Sequence, residues 1–366
     1  MHELQNKGNK IFIIIIRPEQ KNLRVEYTIE NNIDIVIIRP PSYGINAKKG
    51  ILRHLNYLLC LPTISKEANK IILEHKIDFI YSYMPGTGSS LPAIRIKSKH
   101  NIPLILDLAD MYSMIRPKKI ISDAFKKSDK IIVITDYLKN KLLEQNISKD
   151  KIFKIPNGVD LELFNPKNYN DDEIKKLRES FNSKKLIIFA GSLQDLNIII
   201  DSAHNVVKNY PDVMYVIIGD HRDPNRSKEI WEEKVKQRGL ESNFKFLGRK
   251  PREEIPLYLL SADICLDSFP NEPYYAAAHP VKLLEYGSCG KPVVATNVSE
   301  TEKIVKHNEF GFLANPDNAQ EYSEFILTLL NDSKLCEKMG FAFSTFIRSE
   351  FGWKNISEKL SNFLDT

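Results

Sequence analysis

Two doubly wound α/β domains are the fold class that this 366-residue sequence predicts, and three observations predict it. Short runs rich in Ile and Val recur along the chain, each followed by a helical stretch. The runs are apolar on successive residues instead of alternating, which marks parallel strands covered on both faces. The length is enough for two domains, each burying a core of its own.

In the first half the strand runs fall at 11–16, 34–38, 77–84, 103–108, 130–135 and 151–155. A polar, turn-rich stretch from Asn165 through Pro166 to Asp172 then predicts the domain boundary. Strands resume at Leu186, with runs at 186–190, 214–219, 244–248, 264–268 and 292–296. Residues 320–330, 334–347 and 353–364 read as consecutive helices. The expected organisation is a domain over 1–165, a second over 166–347 and a closing segment over 348–366. Strands alternating with helices over this length give doubly wound parallel sheets.

Apolar content of 42% and charge of 27% are those of a soluble globular protein. The longest purely apolar run, Ile11 to Ile16, is far short of the roughly 20 residues a membrane span needs. The polar opening residues do not read as a signal peptide, so a cytoplasmic protein is expected. Cys60, Cys265, Cys289 and Cys336 lack CxxC spacing and read as reduced thiols. No basic run is interleaved with aromatics, which argues against a nucleic-acid partner. Basic residues do cluster in the first half, at Lys48, Lys49 and Arg53, at Arg116, Lys118 and Lys119, and at Lys126 and Lys127. Each cluster is either a solvated face or a peripheral contact with an anionic membrane, worth about 1 kcal/mol per basic residue.

The most informative segment runs from Pro280 through Lys282, Glu285, Gly287 and Gly290 to Pro292 and Thr296. Pro280 suits a helix's first turn and Gly290 the residue past its end. Val293 to Thr296 then reads as a buried strand. Lys282 and Glu285, three apart, share one helix face. The helix N-terminus is a seat for phosphate, Lys282 a mobile charge for it, and Glu285 an acceptor for ribose hydroxyls. The plainer reading is a surface ion pair between the two. Gly191 and Ser192 end a strand where a side chain would block a diphosphate. In the first half, Asp107 and Asp110 follow a strand, either as site carboxylates or as turn caps. The run from Pro85 to Ser90 opens a helix and suits a phosphate, but it lacks the P-loop lysine. His279, directly before Pro280, either approaches the same site or, as is more common for a lone histidine, is structural.

These residues carry a family resemblance. The Pro280–Thr296 segment resembles the donor-binding helix of retaining GT-B glycosyltransferases, specifically glycosyltransferase family 4, the group 1 glycosyltransferases. Four more stretches agree in order. They are Lys154-Ile155-Pro156-Asn157-Gly158-Val159-Asp160, Leu186 to Leu193, Phe246-Leu247-Gly248-Arg249 with Ser261-Ala262-Asp263, and Phe351-Gly352-Trp353. Together they cover the chain from about residue 78 to its end.

The resemblance implies two facing Rossmann-like domains, an acceptor side before the boundary and a nucleotide-sugar donor side after it. A last helix, within 348–366, would return to the first domain. It implies a UDP- or GDP-sugar as substrate, no cofactor, no metal, and a glycan or lipid-linked glycan as acceptor. Glu285 would hold the ribose, with Lys282, Pro280, Gly191 and Ser192 around the donor and Asp110, beside Asp107, facing the acceptor hydroxyl. Two departures stand out. The glutamate that relatives carry eight positions before Glu285 is Ala277, and Glu272 does not match its spacing. The Arg and Lys that follow the glycine turn in relatives are replaced by Leu193-Gln194-Asp195-Leu196-Asn197. Arg249 and Lys250 would compensate or contact the base through backbone. The family's first strand and its glycine turn are also missing ahead of 11–16. That points to a start placed too late, to a rearranged domain, or to 11–16 taking the central place. The competing functions are a degenerate nucleotide-binding protein without turnover and a UDP-sugar epimerase.

Overall fold

The computed structural model describes residues 2–17, 23–40, 51–111, 118–221, 227–298 and 300–364. It divides into two compact units, Met1–Ile155 with Lys359–Thr366, and Pro156–Glu358.

Among the described residues the N-terminal unit opens with α1 (His2–Asn6), β1 (Phe12–Ile16), β2 (Arg24–Glu30), β3 (Ile33–Arg39) and α2 (Ile51–Glu74). It continues with β4 (Ile80–Tyr83), α3 (Ser90–His100), β5 (Leu104–Leu108), α4 (Lys118–Lys127), β6 (Lys130–Val133), α5 (Asp136–Glu144) and β7 (Ile152–Lys154). Its strands make two sheets, in orders β1-β3-β2 and β4-β5-β6-β7. The first is mixed: β1 runs parallel to β3 and β2 antiparallel to it. The β2–β3 turn has Asn31 and Asn32 both at positive φ, 51° and 62°, the backbone of a tight primed hairpin turn. The second sheet is wholly parallel.

Among the described residues β1 pairs with β3 alone, at one end of its sheet. β4 is an edge as well, and among the described residues no strand pairs with both. The two sheets still adjoin, because a Cβ added at Gly88 would stand 3.1 Å from Ile16 Cδ1.

The C-terminal unit begins with α6 (Asp171–Glu179), β8 (Lys185–Ala190), α7 (Asn197–Asn209), β9 (Val213–Ile218), α8 (Lys228–Gln237) and β10 (Phe244–Gly248). Then come α9 (Ile255–Ser261), β11 (Ile264–Leu266), α10 (Pro273–Ala276), α11 (Val281–Ser288), β12 (Val293–Thr296) and α12 (Thr301–Ile304). It ends with β13 (Gly311–Ala314), α13 (Ala319–Asn331), α14 (Ser333–Glu350) and α15 (Trp353–Leu364), whose last residues from Lys359 on belong to the other unit. One parallel sheet spans it in the order β10-β9-β8-β11-β12-β13. Neighbouring residues of one strand serve opposite cores: Ile187 and Phe189 enter one, Leu186 and Ile188 the other. That two-sided burial is why these strands are continuously apolar.

The division between units falls at Ile155 and Pro156, ahead of the stretch at 165–172 expected to hold it. Val159 and Phe164 are fully buried in the C-terminal core, and Val159 N–H donates to the Phe351 carbonyl at 2.8 Å. The polar stretch instead caps α6, where Asn170 and Glu173 form a reciprocal capping box. At the other end, only 359–366 of the expected 348–366 joins the N-terminal unit. There Phe363 packs on Phe153 at 4.2 Å, and Lys130 Nζ donates to the Phe363 carbonyl.

Candidate functional site

In the C-terminal sheet the chain leaves β8 toward β9 on one side and later returns through β11 on the other. That reversal is a topological switch point, and ligands of open α/β sheets bind beyond the strand ends there. β8 runs out into Gly191 and Ser192, and β11 into Asp267. The N-terminus of α11 carries Lys282 to the same place: its Nζ lies 2.7 Å from Asp267 Oδ1 and 3.8 Å from where a Gly191 Cβ would stand.

The plainer reading of Lys282, an ion pair with Glu285, therefore gives way to a pair with Asp267. Lys282 is only 12% exposed and Asp267 not at all. The ammonium also lies over two rings, 4.5 Å from the centre of Phe189 and 4.4 Å from that of Phe269. A fully buried carboxylate and two aromatic faces outweigh a partly buried neighbour one turn along the helix. Nothing in the sequence spacing announces Asp267, which is fifteen residues away on a different element.

Glu285 is 18% exposed, with Oε1 4.0 Å from Arg252 Nη2. Burial pushes its carboxyl up to about 7, against the opposing pull of the Arg252 and Lys282 charges. Arg252, which also stands over the Phe164 ring, is a site cation that the sequence reading missed. Of the two cations expected there, Lys250 pairs with Glu254 at 4.0 Å, and Arg249 follows Gly248 at the end of β10. Pro280 is the N-cap residue of α11, one place before the first-turn position expected for it, and Gly290 sits past the helix end at φ 69°.

Gly219, which the sequence reading also passed over, shapes the turn from below. Its φ is 130°, and a Cβ there would fall 1.8 Å from the Gly191 carbonyl oxygen. Only glycine lets β9 end against this turn. On the far side the turn is tied down by Ser268 Oγ donating to the Asp195 carbonyl and Tyr275 Oη donating to Gln194 Oε1. Gln194 in turn donates to Ser192 Oγ at 3.3 Å. Ala277 is fully buried, while Glu272 is an exposed N-cap residue of α10. His279 is buried, its ring tilted against Phe351.

The N-terminal unit holds the other candidates. Asp107 accepts from Tyr81 Oη at 2.6 Å, and burial raises its carboxyl above the usual range, an effect the Tyr81 bond opposes. Burial also raises Tyr83, with the Asp107 and Asp110 charges adding to it. Both aspartates thus share one end of the β4–β5 pair with two tyrosines. The Pro85–Ser90 loop turns its polar groups on itself: Gly86 N–H donates to Ser90 Oγ and Ser89 Oγ to the Met84 carbonyl. Of the basic clusters, Lys48, Lys49, Arg116 and the Arg53 side chain lie outside the described residues. Lys118, Lys119, Lys126 and Lys127 are exposed on α4, whose apolar side, Ile121, Ala124 and Phe125, is already buried. No helix among the described residues is long and apolar enough to cross a membrane.

Two family models match the chain: Glycosyltransferase Family 4 over residues 1–163, and Glycosyl transferases group 1 over residues 170–342. An uncharacterised glycosyltransferase of Methanocaldococcus jannaschii is 28% identical over 353 residues, which is 91% of this chain and 90% of that protein. A GDP-mannose-dependent monoacylated alpha-(1-6)-phosphatidylinositol monomannoside mannosyltransferase of Corynebacterium glutamicum is 21% identical, over 96% of this chain and 90% of its own. Among solved structures, Anabaena HepE in complex with UDP superposes with a TM-score of 0.70 at 20% identity, covering 83% of this chain and 82% of that one.

Proposed function

We propose that this chain, which belongs to the group 1 glycosyltransferases of the GT-B fold, moves a sugar from a nucleotide-sugar donor with retention of anomeric configuration. The acceptor is a glycan or a lipid-linked glycan. The observation that carries the reading is the meeting of Gly191 and Lys282 at the switch point, with Glu285 three residues further along α11. A glycine turn leaves room for a diphosphate, the α11 N-terminus offers it free N–H groups, and Glu285 offers carboxylate oxygens to ribose hydroxyls. Departure of the nucleoside diphosphate is helped by fixed positive charge, which is electrostatic catalysis. An oxygen of the leaving phosphate takes the acceptor's proton as the new glycosidic bond forms.

The donor base is read as uracil or guanine, in keeping with the UDP bound by HepE and the GDP-mannose named for the corynebacterial relative. A thermal-shift screen against UDP-, GDP- and ADP-sugars tests the reading. Ligand at a hundred times its dissociation constant adds about 2.7 kcal/mol to the stability of the unit that binds it. No shift with any of them contradicts a donor site.

A second reading, nucleotide binding without turnover, is favoured by the buried Ala277 and by the Gln194–Asp195 turn. Release of free nucleoside diphosphate only when acceptor is present would exclude it.

A further inference from the structure

Asp267 is the residue at the switch point that no resemblance assigns. Its backbone is locked at the end of β11: its N–H donates to the Val294 carbonyl at 3.0 Å, and its own carbonyl accepts from Tyr322 Oη at 2.9 Å. Its carboxylate is fully buried, with Oδ1 on Lys282 and Oδ2 without a hydrogen-bond partner. A buried carboxylate with one oxygen unsatisfied is costly, and the ion pair with Lys282 uses only one of its two oxygens. The carboxylate therefore has a consequence for the site beyond holding the lysine in place.

We infer that Asp267 is a counter-charge that limits how tightly this site grips the diphosphate of its nucleotide, acting through Lys282. This rests on the donor-site reading above. With Asp267 ionised, an incoming diphosphate meets a neutral pair, attracted by the ammonium and repelled by the carboxylate immediately behind it. Lys282 orients the phosphate without holding it at full strength. The stage at which this matters is departure of the product, because the nucleoside diphosphate carries more negative charge than the donor it came from. A site built on an uncompensated buried lysine would bind that product most tightly and turn over slowly. Asp267 is thus a positioning and affinity-setting residue rather than one that touches the reacting atoms.

The test is calorimetric titration of the full chain with UDP and with GDP, for wild type, Asp267→Asn and Lys282→Met, and for the double variant. Asp267→Asn keeps the shape and removes the charge. It should bind the preferred diphosphate about ten-fold more tightly, with a steeper loss of affinity as salt is raised. In the Lys282→Met background the same change should tighten binding by a smaller factor, since only the direct repulsion is relieved and there is no ammonium left to restrain. Asp267→Ser, smaller and also uncharged, gives the same sign if the asparagine variant folds poorly. Weaker or unchanged binding by both uncharged variants, with wild type binding normally, overturns the counter-charge and leaves the donor site standing. Wild type binding neither diphosphate overturns the donor-site reading itself.

Discussion

The two units use the same kind of strand and reach different ends with it. β1 reads Phe12-Ile13-Ile14-Ile15-Ile16 and β8 reads Lys185-Leu186-Ile187-Ile188-Phe189-Ala190, two apolar runs of equal quality. In β8 the apolar residues are buried, while every residue of β1 is only partly so. The difference is in the neighbours. β8 pairs on both edges, with β9 and β11, and has helices on both faces; β1 pairs on one edge, with β3. Composition makes a strand eligible for the centre of a sheet, and pairing on both sides decides whether it sits there. The candidate site residues at the switch point stand on the sheet whose inner strands pair on both sides.

The sharpest way to break this contrast is to damage the C-terminal sheet at its switch point. Gly219→Ala forces a Cβ to within 1.8 Å of the Gly191 carbonyl at a φ that side chains rarely adopt. The expected loss is about 3 kcal/mol or more, read by denaturant unfolding of the C-terminal unit. A loss within about 0.5 kcal/mol, the range of an ordinary surface change, would mean that the turn relaxes easily and does not hold the site.

Hydrogen exchange sharpens the same comparison from the other side. Amides of β8 and β9 should open only with the whole unit, whereas those of β1 and β4 exchange by local opening, several kcal/mol more easily. Equal protection in both sheets would show that the N-terminal unit closes its edges by another route.

These two outcomes bear on how far the molecule can be read from its residues. The two α/β units, their strands in order and the final helices all follow from runs apolar on successive residues. β2 escapes that reading because Arg24-Val25-Glu26-Tyr27-Thr28-Ile29-Glu30 alternates, as an outer antiparallel strand does. β13 escapes it as well, since Gly311-Phe312-Leu313-Ala314 opens on a glycine and carries no Ile or Val. The places of Glu285 and Lys282 on one helix and of Gly191 at a strand end are legible because helix periodicity and strand ends are local features. Asp267, Arg252 and Gly219 are not, because each reaches the site across the sheet from a distant element. The plainer pairing of Lys282 with Glu285 gives way for that reason: the nearer partner in sequence is not the better one in a buried setting.

The raised Glu285 carboxyl gives a smaller effect of defined sign. An unfolded glutamate titrates near 4.3, whereas Glu285 in the folded chain titrates at about 7. Between those values the folded state holds the proton, so stability falls as pH rises through the window and the loss is complete above about 7. Glu285→Gln cannot ionise. It should therefore gain on the order of 2 kcal/mol over wild type at pH 8 and nothing at pH 4. Parallel stability curves across that range would place the carboxyl in water.

The smallest expected effect concerns the exposed lysines of α4. We propose that the N-terminal unit makes a weak peripheral contact with anionic membranes, at about 1 kcal/mol per lysine near the surface. Because the apolar side of α4 is already buried, the contact is electrostatic and should vanish at high salt. Co-sedimentation with anionic liposomes should fall when Lys118, Lys119, Lys126 and Lys127 are changed to Gln. Binding unaltered by those changes would place the surface elsewhere or nowhere.

The central claim is that the C-terminal unit binds the nucleotide sugar and that Glu285 holds it. Calorimetric titration at pH 8, where Glu285 is ionised, measures this directly for the nucleotide sugar that the thermal screen selects. Removing charge-assisted hydrogen bonds worth about 1.5–3 kcal/mol should weaken binding to Glu285→Ala by roughly ten- to hundred-fold, with the fold intact. Unchanged affinity in a folded Glu285→Ala variant would contradict the account.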